Sequence, residues 1–573
     1  MKFLYLCCLL FISNALSAQM TRFEKSNGRE SASYFEGSSW WSGFGMAHYG
    51  AETAALGETD AGYNLQIVTL SDKPYTLYDI KKSNKSVILI NNAIHPGEPD
   101  GVDASMMLFR DFTEKEEYKK LLKNCILVCI PYYNIGGAIN RSKSSRANQD
   151  GPIEYGFRGN AQNLDLNRDF IKCDSKNAMS FSKLLQLIDP DIYIETHVSN
   201  GADYQYTMTY LATQADKLGY GMGTYLRTEM IPSLEKSMTA KNETMIPYVN
   251  HHSGALQDKM YTFYDSPRYS SGLTSLHQTF GFITETHMLK NFRDRTWATY
   301  KFLVSTIEFC SKNSASIKAK RKEAKLAVAN AALFVIDWQV DTVAYKTFEF
   351  KGYTADYKTS EVTGAQRLYY DQSKPKVWDM KYYNRMTPTK TVSKPTYYML
   401  KKGYWKVADR LKANGVQLIP LENDSVIRVN SFNIKDYKSD KRPYEKHYHH
   451  SKVKYDLESI KFQFREGDYL IPMNTDKNRF IIDVLEPAAP DSYFNWNFFD
   501  AVLQQKEWFS SYVFEDKAAQ FLSENKTVKL EFEAKKRNDK DFASNPKAQL
   551  YWIYKQSPHY EKEHMRLPVF RIE

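Results

Sequence analysis

The sequence predicts an α/β fold with a mixed, largely parallel central sheet flanked by helices, followed by a β-rich C-terminal domain. Four apolar runs carry the first half of this expectation: SVILINNA (86–93), NCILVCIPYYN (124–134), PDIYIETH (190–197) and FGFITETH (280–287). They are unbroken rather than alternating, as strands covered on both faces are. Helical patterns lie between them, and that alternation is the signature of an α/β layer. After about residue 331 the texture changes to short β-like runs broken by turn residues.

The first residues, MKFLYLCCLLFISNALSAQ, carry one lysine, an apolar stretch and then small residues. That order predicts a signal peptide over 1–18, cut near Ser17 or Ala18. The apolar stretch is shorter than the ~20 residues a membrane span needs, so the expected protein is secreted or periplasmic, with no stable membrane span. A catalytic-type α/β domain is then expected over 19–330. Its helices are VDASMMLFRDF (102–112), NAMSFSKLLQLI (177–188), ADKLGYGMGTYLRTEM (215–230) and a long amphipathic one running through 298–333. The accessory domain, 331–573, is expected to hold strands at 346–358, 396–400, 425–434, 460–473 and RFIIDVLEP (479–487), with late helices such as that over 501–522.

At 573 residues, 42% hydrophobic and 25% charged, the composition is that of a multidomain globular protein. Its 41 tyrosines favour β-rich surfaces and ligand grooves. The formal charge of +10 falls to +9 without Lys2. No dense Lys/Arg block is interleaved with aromatics, which argues against nucleic-acid binding. Cys7 and Cys8 leave with the leader. Cys125, Cys129, Cys173 and Cys310 show no metal-binding spacing. The first two, about 13 Å apart along one strand, are too distant to bridge, so all four are expected as buried thiols.

Chemistry collects at the strand ends, where open α/β sheets place their ligands. INNAIHPGEPDG (90–101) leaves His95 and Glu98 three residues apart on a turn stiffened by Pro96. His197 follows DIYIET, and Glu285 ends GFIT. Alone, each is more often a hydrogen-bonded structural residue. Together, His95, Glu98 and His197 supply the three protein ligands of a catalytic zinc, one ion per chain, with a fourth position open. Glu285 is then the general base, and Glu195, on the same strand face as His197, can orient a ligand. FRGNAQNLDLNRDF (157–170) offers Arg158, Asn167 and Arg168 near a turn. A planar guanidinium grips a carboxylate with two prongs and can stabilise an oxyanion. The plainer alternative is a surface salt-bridge loop. HYHH (447–450) sits in a basic stretch with Glu445 as its one nearby acid and is read as a decoy rather than a metal site.

The ordered set His-x-x-Glu, Arg…Asn-Arg, His, Glu resembles the zinc carboxypeptidases related to carboxypeptidase A, over residues 60 to 300. The ten-residue step from Arg158 to Arg168 is similar to the regulatory branch that includes carboxypeptidases E and D, and selects Arg158 over Arg141 and Arg146. The resemblance implies zinc ligands at His95, Glu98 and His197, an oxyanion-stabilising Arg158, a terminal-carboxylate grip by Asn167 and Arg168, and a general base at Glu285. Lys290 fits the same branch. The family's substrate-binding tyrosine is sought among Tyr261, Tyr264 and Tyr269, with Tyr264 preferred, and Arg268 is read as a structural or surface residue. The expectation is an exported zinc metallocarboxypeptidase acting on peptides or proteins with a free C-terminal carboxylate. The alternatives are a zinc amidase or deacylase acting on cell-wall peptides or acylated amino acids, and a non-catalytic binding protein on the same scaffold.

Overall fold

The computed structural model describes residues 20–251 and 253–573. The leader expected over 1–18 lies outside them. The central sheet has eight strands: β1 (Ala51–Glu58), β2 (Asn64–Leu70), β3 (Ser86–Asn91), β4 (Cys125–Ile130), β5 (Ile192–Ser199), β6 (Met208–Ala212), β7 (Met245–Pro247) and β9 (Phe280–His287), in the order β1-β2-β4-β3-β5-β9-β6-β7. The four predicted runs are its middle: β4, β3, β5 and β9 are mutually parallel, while β2 and β6 join antiparallel on either side. Every residue of β3, β4 and β5 is buried, which is why their sequences do not alternate. The four cysteines are free and buried.

Helix α1 (Tyr34–Ala47), α2 (Asp100–Glu114), α3 (Lys176–Ile188), α4 (Ile231–Ala240) and α5 (Phe292–Asn330) pack around the sheet. Helix α5 runs 39 residues with one non-helical residue, Asn313, and its amide caps are set by Asn291, whose side chain accepts from the Asp294 N–H. The single helix expected over 215–230 is instead broken once: a short turn, Ala215–Leu218, is followed by helix from Met222–Tyr225 that runs on through a π-helical stretch, Leu226–Met230, into α4. Gly219 and Gly221 between them take φ of 60° and 77°, left-handed backbone that ends one helix before the next begins.

Beyond Asn330 the chain is β-rich. Strands β10 (Leu333–Val340) and β13 (Met386–Ser393) pair, and β11 (Lys346–Thr359) and β12 (Gln366–Tyr383) form a long hairpin to which β8 (Lys259–Tyr261) adds in parallel. A six-stranded sheet is built from β14 (Tyr397–Leu400), β15 (Ile419–Pro420), β16 (Ser425–Ser439), β17 (His450–Phe464), β18 (Tyr469–Pro472) and β19 (Arg566–Ile572). Helices α6 (Trp405–Ala413) and α7 (Asn478–Leu485) pack beside it. Helix α7 corrects the strand expected over 479–487. Its β-branched residues point to a strand, but Phe480, Ile481, Val484 and Leu485 recur at helical spacing and are all buried. A final appendage, α8 (Ser511–Glu524), α9 (Lys526–Asn538) and α10 (Pro546–Gln556), has its own apolar cluster around Phe514, Phe532 and Ile553. By contrast, one larger cluster joins Leu184, Tyr193 and Leu273 to Tyr398, Leu411, Phe432 and Phe480 from beyond Asn330. Among the described residues no helix is long and apolar enough to cross a membrane.

Candidate active site

Strands β3, β5 and β9 lie side by side, so their carboxyl ends face one region. After β3 the chain turns at His95, with the Glu98 N–H donating to the His95 carbonyl at 2.8 Å, and enters α2 at Asp100. This turn aims both side chains the same way. A Cβ at its Gly97 would lie 2.5 Å from Cδ of Arg146 and would push that side chain off Glu98. His197 and Glu285 stand directly opposite one another in the parallel register of β5 and β9.

The three predicted ligands meet. His95 Nδ1, His197 Nδ1 and the Glu98 carboxylate lie within 4.8 Å of one another, all buried, and form the one His/Cys/Asp/Glu cluster of metal-binding geometry among the described residues. His197 Nδ1 is 3.0 Å from Glu98 Oε2 and 3.2 Å from His95 Nδ1. The far ring nitrogens are both held by carboxylates: His95 Nε2 by Asp165 at 2.9 Å and His197 Nε2 by Glu195 at 2.6 Å. Those contacts assign the ring protons to Nε2. His95 Nδ1, His197 Nδ1 and the Glu98 carboxylate therefore converge on one point, and either ring offers a lone pair there once its Nδ1 carries no proton. A nitrogen, nitrogen and oxygen set of this kind fits a divalent zinc.

The surroundings are strongly polarised. Burial raises the cost of charge on Glu98, but Arg146, His95 and His197 outweigh it and hold its carboxyl well below the usual range. Burial likewise opposes the charge on His197, but Glu195 and Glu98 push its pKa up to about 10 in the absence of metal, so a divalent ion binds here by displacing the Nδ1 proton. Glu285 goes the other way: burial dominates, His197 and Arg158 offset it only in part, and its pKa is pushed up to about 7.

Arg158, Asn167 and Arg168 gather on Asp165. Arg158 donates to Asp165 Oδ2 through Nε at 2.9 Å and also lies 3.6 Å from Glu98. Arg168 is 3.9 Å from Asp165 and stacks on Tyr269 at 4.7 Å. The Asn167 N–H donates to Asp165 Oδ1, and its buried side-chain oxygen has no hydrogen-bond partner. Asp165 is the residue sequence reasoning missed, although it lies inside the motif that drew attention to its neighbours. Arg146, set aside on spacing, donates to Glu98 at 2.8 Å, whereas Arg141 is spent on the backbone carbonyls of Ser31, Ala32 and Glu154. Tyr264, the tyrosine expected to bind substrate, donates to Asp337, while Tyr248 has Glu285, Glu98 and Arg158 among its charged neighbours. Lys290 lies over Tyr353. Arg268 is structural: it grips Asp491 at 2.6 and 2.9 Å.

Residues 46–299 match the family model described as zinc carboxypeptidase (Peptidase_M14). This segment belongs to the zinc carboxypeptidase family. Membership supports metallocarboxypeptidase chemistry on peptides, with zinc, in general terms. No curated protein matches the chain. Solved structures resemble it in outline only. A metallo-carboxypeptidase of Pseudomonas aeruginosa, in complex with (2-guanidinoethylmercapto)succinic acid, is 13% identical, with 49% of this chain and 68% of that one covered and a TM-score of 0.38. One of Burkholderia cenocepacia is 15% identical, covers 48% and 69%, and scores 0.37. Carboxypeptidase A of Helicoverpa armigera is 11% identical, covers 50% and 74%, and scores 0.35.

Proposed function

We propose that the protein is an exported zinc exopeptidase that hydrolyses the C-terminal peptide bond of peptides or proteins. His95, Glu98 and His197 hold the ion. Asn167 and Arg168 grip the substrate's terminal carboxylate, Arg158 polarises the scissile carbonyl and stabilises the oxyanion, and Glu285 is the general base. When bound, zinc supplies Lewis acidity to the carbonyl and lowers the pKa of a water. Glu285, with its carboxyl near neutral, suits taking that water's proton and passing it to the leaving amine. Residues 19–330 are the hydrolase unit and 331–573 the accessory one in this reading.

One observation carries the proposal: a buried His-Glu-His cluster and a cradle of two arginines share a single carboxylate, Asp165. Metal at one end and a cationic grip at the other are what an exopeptidase needs and an endopeptidase does not. The test compares the native protein with Glu285→Gln for zinc content and for release of the last residue from a peptide series. Zinc retained with turnover lost supports the assignment. Equal turnover, or equal cleavage of peptides whose C-terminus is amidated, overturns it.

A further inference from the structure

The β16–β17 hairpin ends in a tight turn that leans on the arginine cradle. Tyr444 and His447 exchange backbone hydrogen bonds at 2.7 and 3.0 Å. Between them, Glu445 and Lys446 both take left-handed φ values, 47° and 75°. A two-residue hairpin turn of this type requires that conformation and usually recruits Asn or Gly for it. Here two side-chain-bearing residues are held in it, and the surrounding contacts fix them there. His447 Nε2 pairs with Asp174 at 2.6 Å, His449 lies 3.3 Å from Arg268, and His450 pairs with Asp500 at 3.0 Å. The histidine run is thus an anchor for the turn.

What the turn delivers lies on the proposed site. Glu445 Oε2 accepts the Asp165 N–H at 2.9 Å, on the residue whose carboxylate holds His95 and Arg158. Tyr444 lies within interaction range of both Arg168 and Arg268. Asp491 already satisfies Arg268. Arg168, by contrast, approaches its nearest carboxylate, Asp165, at 3.9 Å, bonds the Asn167 carbonyl and stacks on Tyr269. A phenol can accept through its oxygen and still donate its one proton. Arg268 lies over the Tyr444 ring, 5.7 Å from its centroid, and the hydroxyl of a tyrosine held beside two guanidinium groups has a proton to offer an anion that they attract.

We infer that Tyr444 is a further substrate-binding residue, donating to the terminal carboxylate that Arg168 holds, and that Glu445 is a positioning residue acting through Asp165. The C-terminal half then completes the chain-end site. This rests on the chain-end reading above. The test uses the full-length, zinc-loaded Glu285→Gln protein and measures Kd for one peptide as its free acid and as its C-terminal amide. The expected result is tighter binding of the acid, with Tyr444→Phe cutting the acid-to-amide preference about tenfold. Glu445→Ala should also cut it, and Glu445→Gln, which keeps an acceptor oxygen, should restore it. In the active protein, Tyr444→Phe should raise KM and leave kcat nearly unchanged. An undiminished preference in a Tyr444→Phe variant with a native melting curve overturns the inference. If Glu285→Gln itself shows no preference, the chain-end reading fails first and takes this inference with it.

Discussion

Two groups of histidines behave oppositely. His95 and His197 come from segments a hundred residues apart and turn the same ring atom toward one carboxylate, while their other nitrogens are held by Asp165 and Glu195. His447, His449 and His450 are neighbours in sequence, yet each reaches a different partner: Asp174, the Pro490 carbonyl and Asp500. Density of ligand-type residues along the chain is therefore a poor guide to a metal site. Parallel strands that end side by side converge their side chains, whereas a hairpin tip fans them outward.

The comparison can be broken at several points. The largest effect belongs to His95→Ala or His197→Ala. Either should take zinc from one ion per chain to none and reduce peptide hydrolysis to the blank rate, read by elemental analysis and product release. Next is Glu285→Gln, expected to keep its zinc while kcat falls about 10²- to 10⁴-fold. Asp165→Asn should weaken zinc binding by about 10- to 100-fold, measured by competition with a chelator, because it loosens the hold on His95 without removing a ligand.

The hairpin cluster should answer in stability rather than metal content. Burial would raise the pKa of Asp174, but His447 and Lys172 outweigh it and hold the carboxyl below its ordinary 3.8. A depressed folded-state pKa stabilises the protein above that ordinary value, and the contribution is lost as pH falls through the folded one. His447→Gln should therefore cost about 1 kcal/mol at pH 7, and the gap to the native melting temperature should close as the pH drops below about 4. Smallest of all, replacing His447, His449 and His450 together by Gln should leave the zinc stoichiometry unchanged; a fall from two ions to one would show that the contrast is false.

Much of the site was readable because it obeys periodicities. Unbroken apolar runs marked the parallel strands, and the polar residues near their carboxyl ends included His197 and Glu285. Asp165 was not readable, because an acid in a polar loop has no distinguishing pattern until a histidine nitrogen is found 2.9 Å away. Glu445 was further out of reach: its bond to the Asp165 amide spans 280 positions, and no local rule pairs residues so distant. Helix α7 shows the converse failure, where β-branched residues imitate a strand while tertiary burial selects the helix. The break at Gly219 and Gly221 was written in the sequence, but the apolar spacing around it masked the signal.

The apolar cluster that runs from Tyr193 and Leu273 across to Phe432 and Phe480 has a calorimetric consequence. Strands that present the ligands and strands that hold up the hairpin bury their side chains in one continuous interior, so neither can lose its packing while the other keeps it. A scanning experiment should record them as one cooperative endotherm. The appendage of α8 to α10, with a cluster made of its own residues alone, has the means to melt at a temperature of its own.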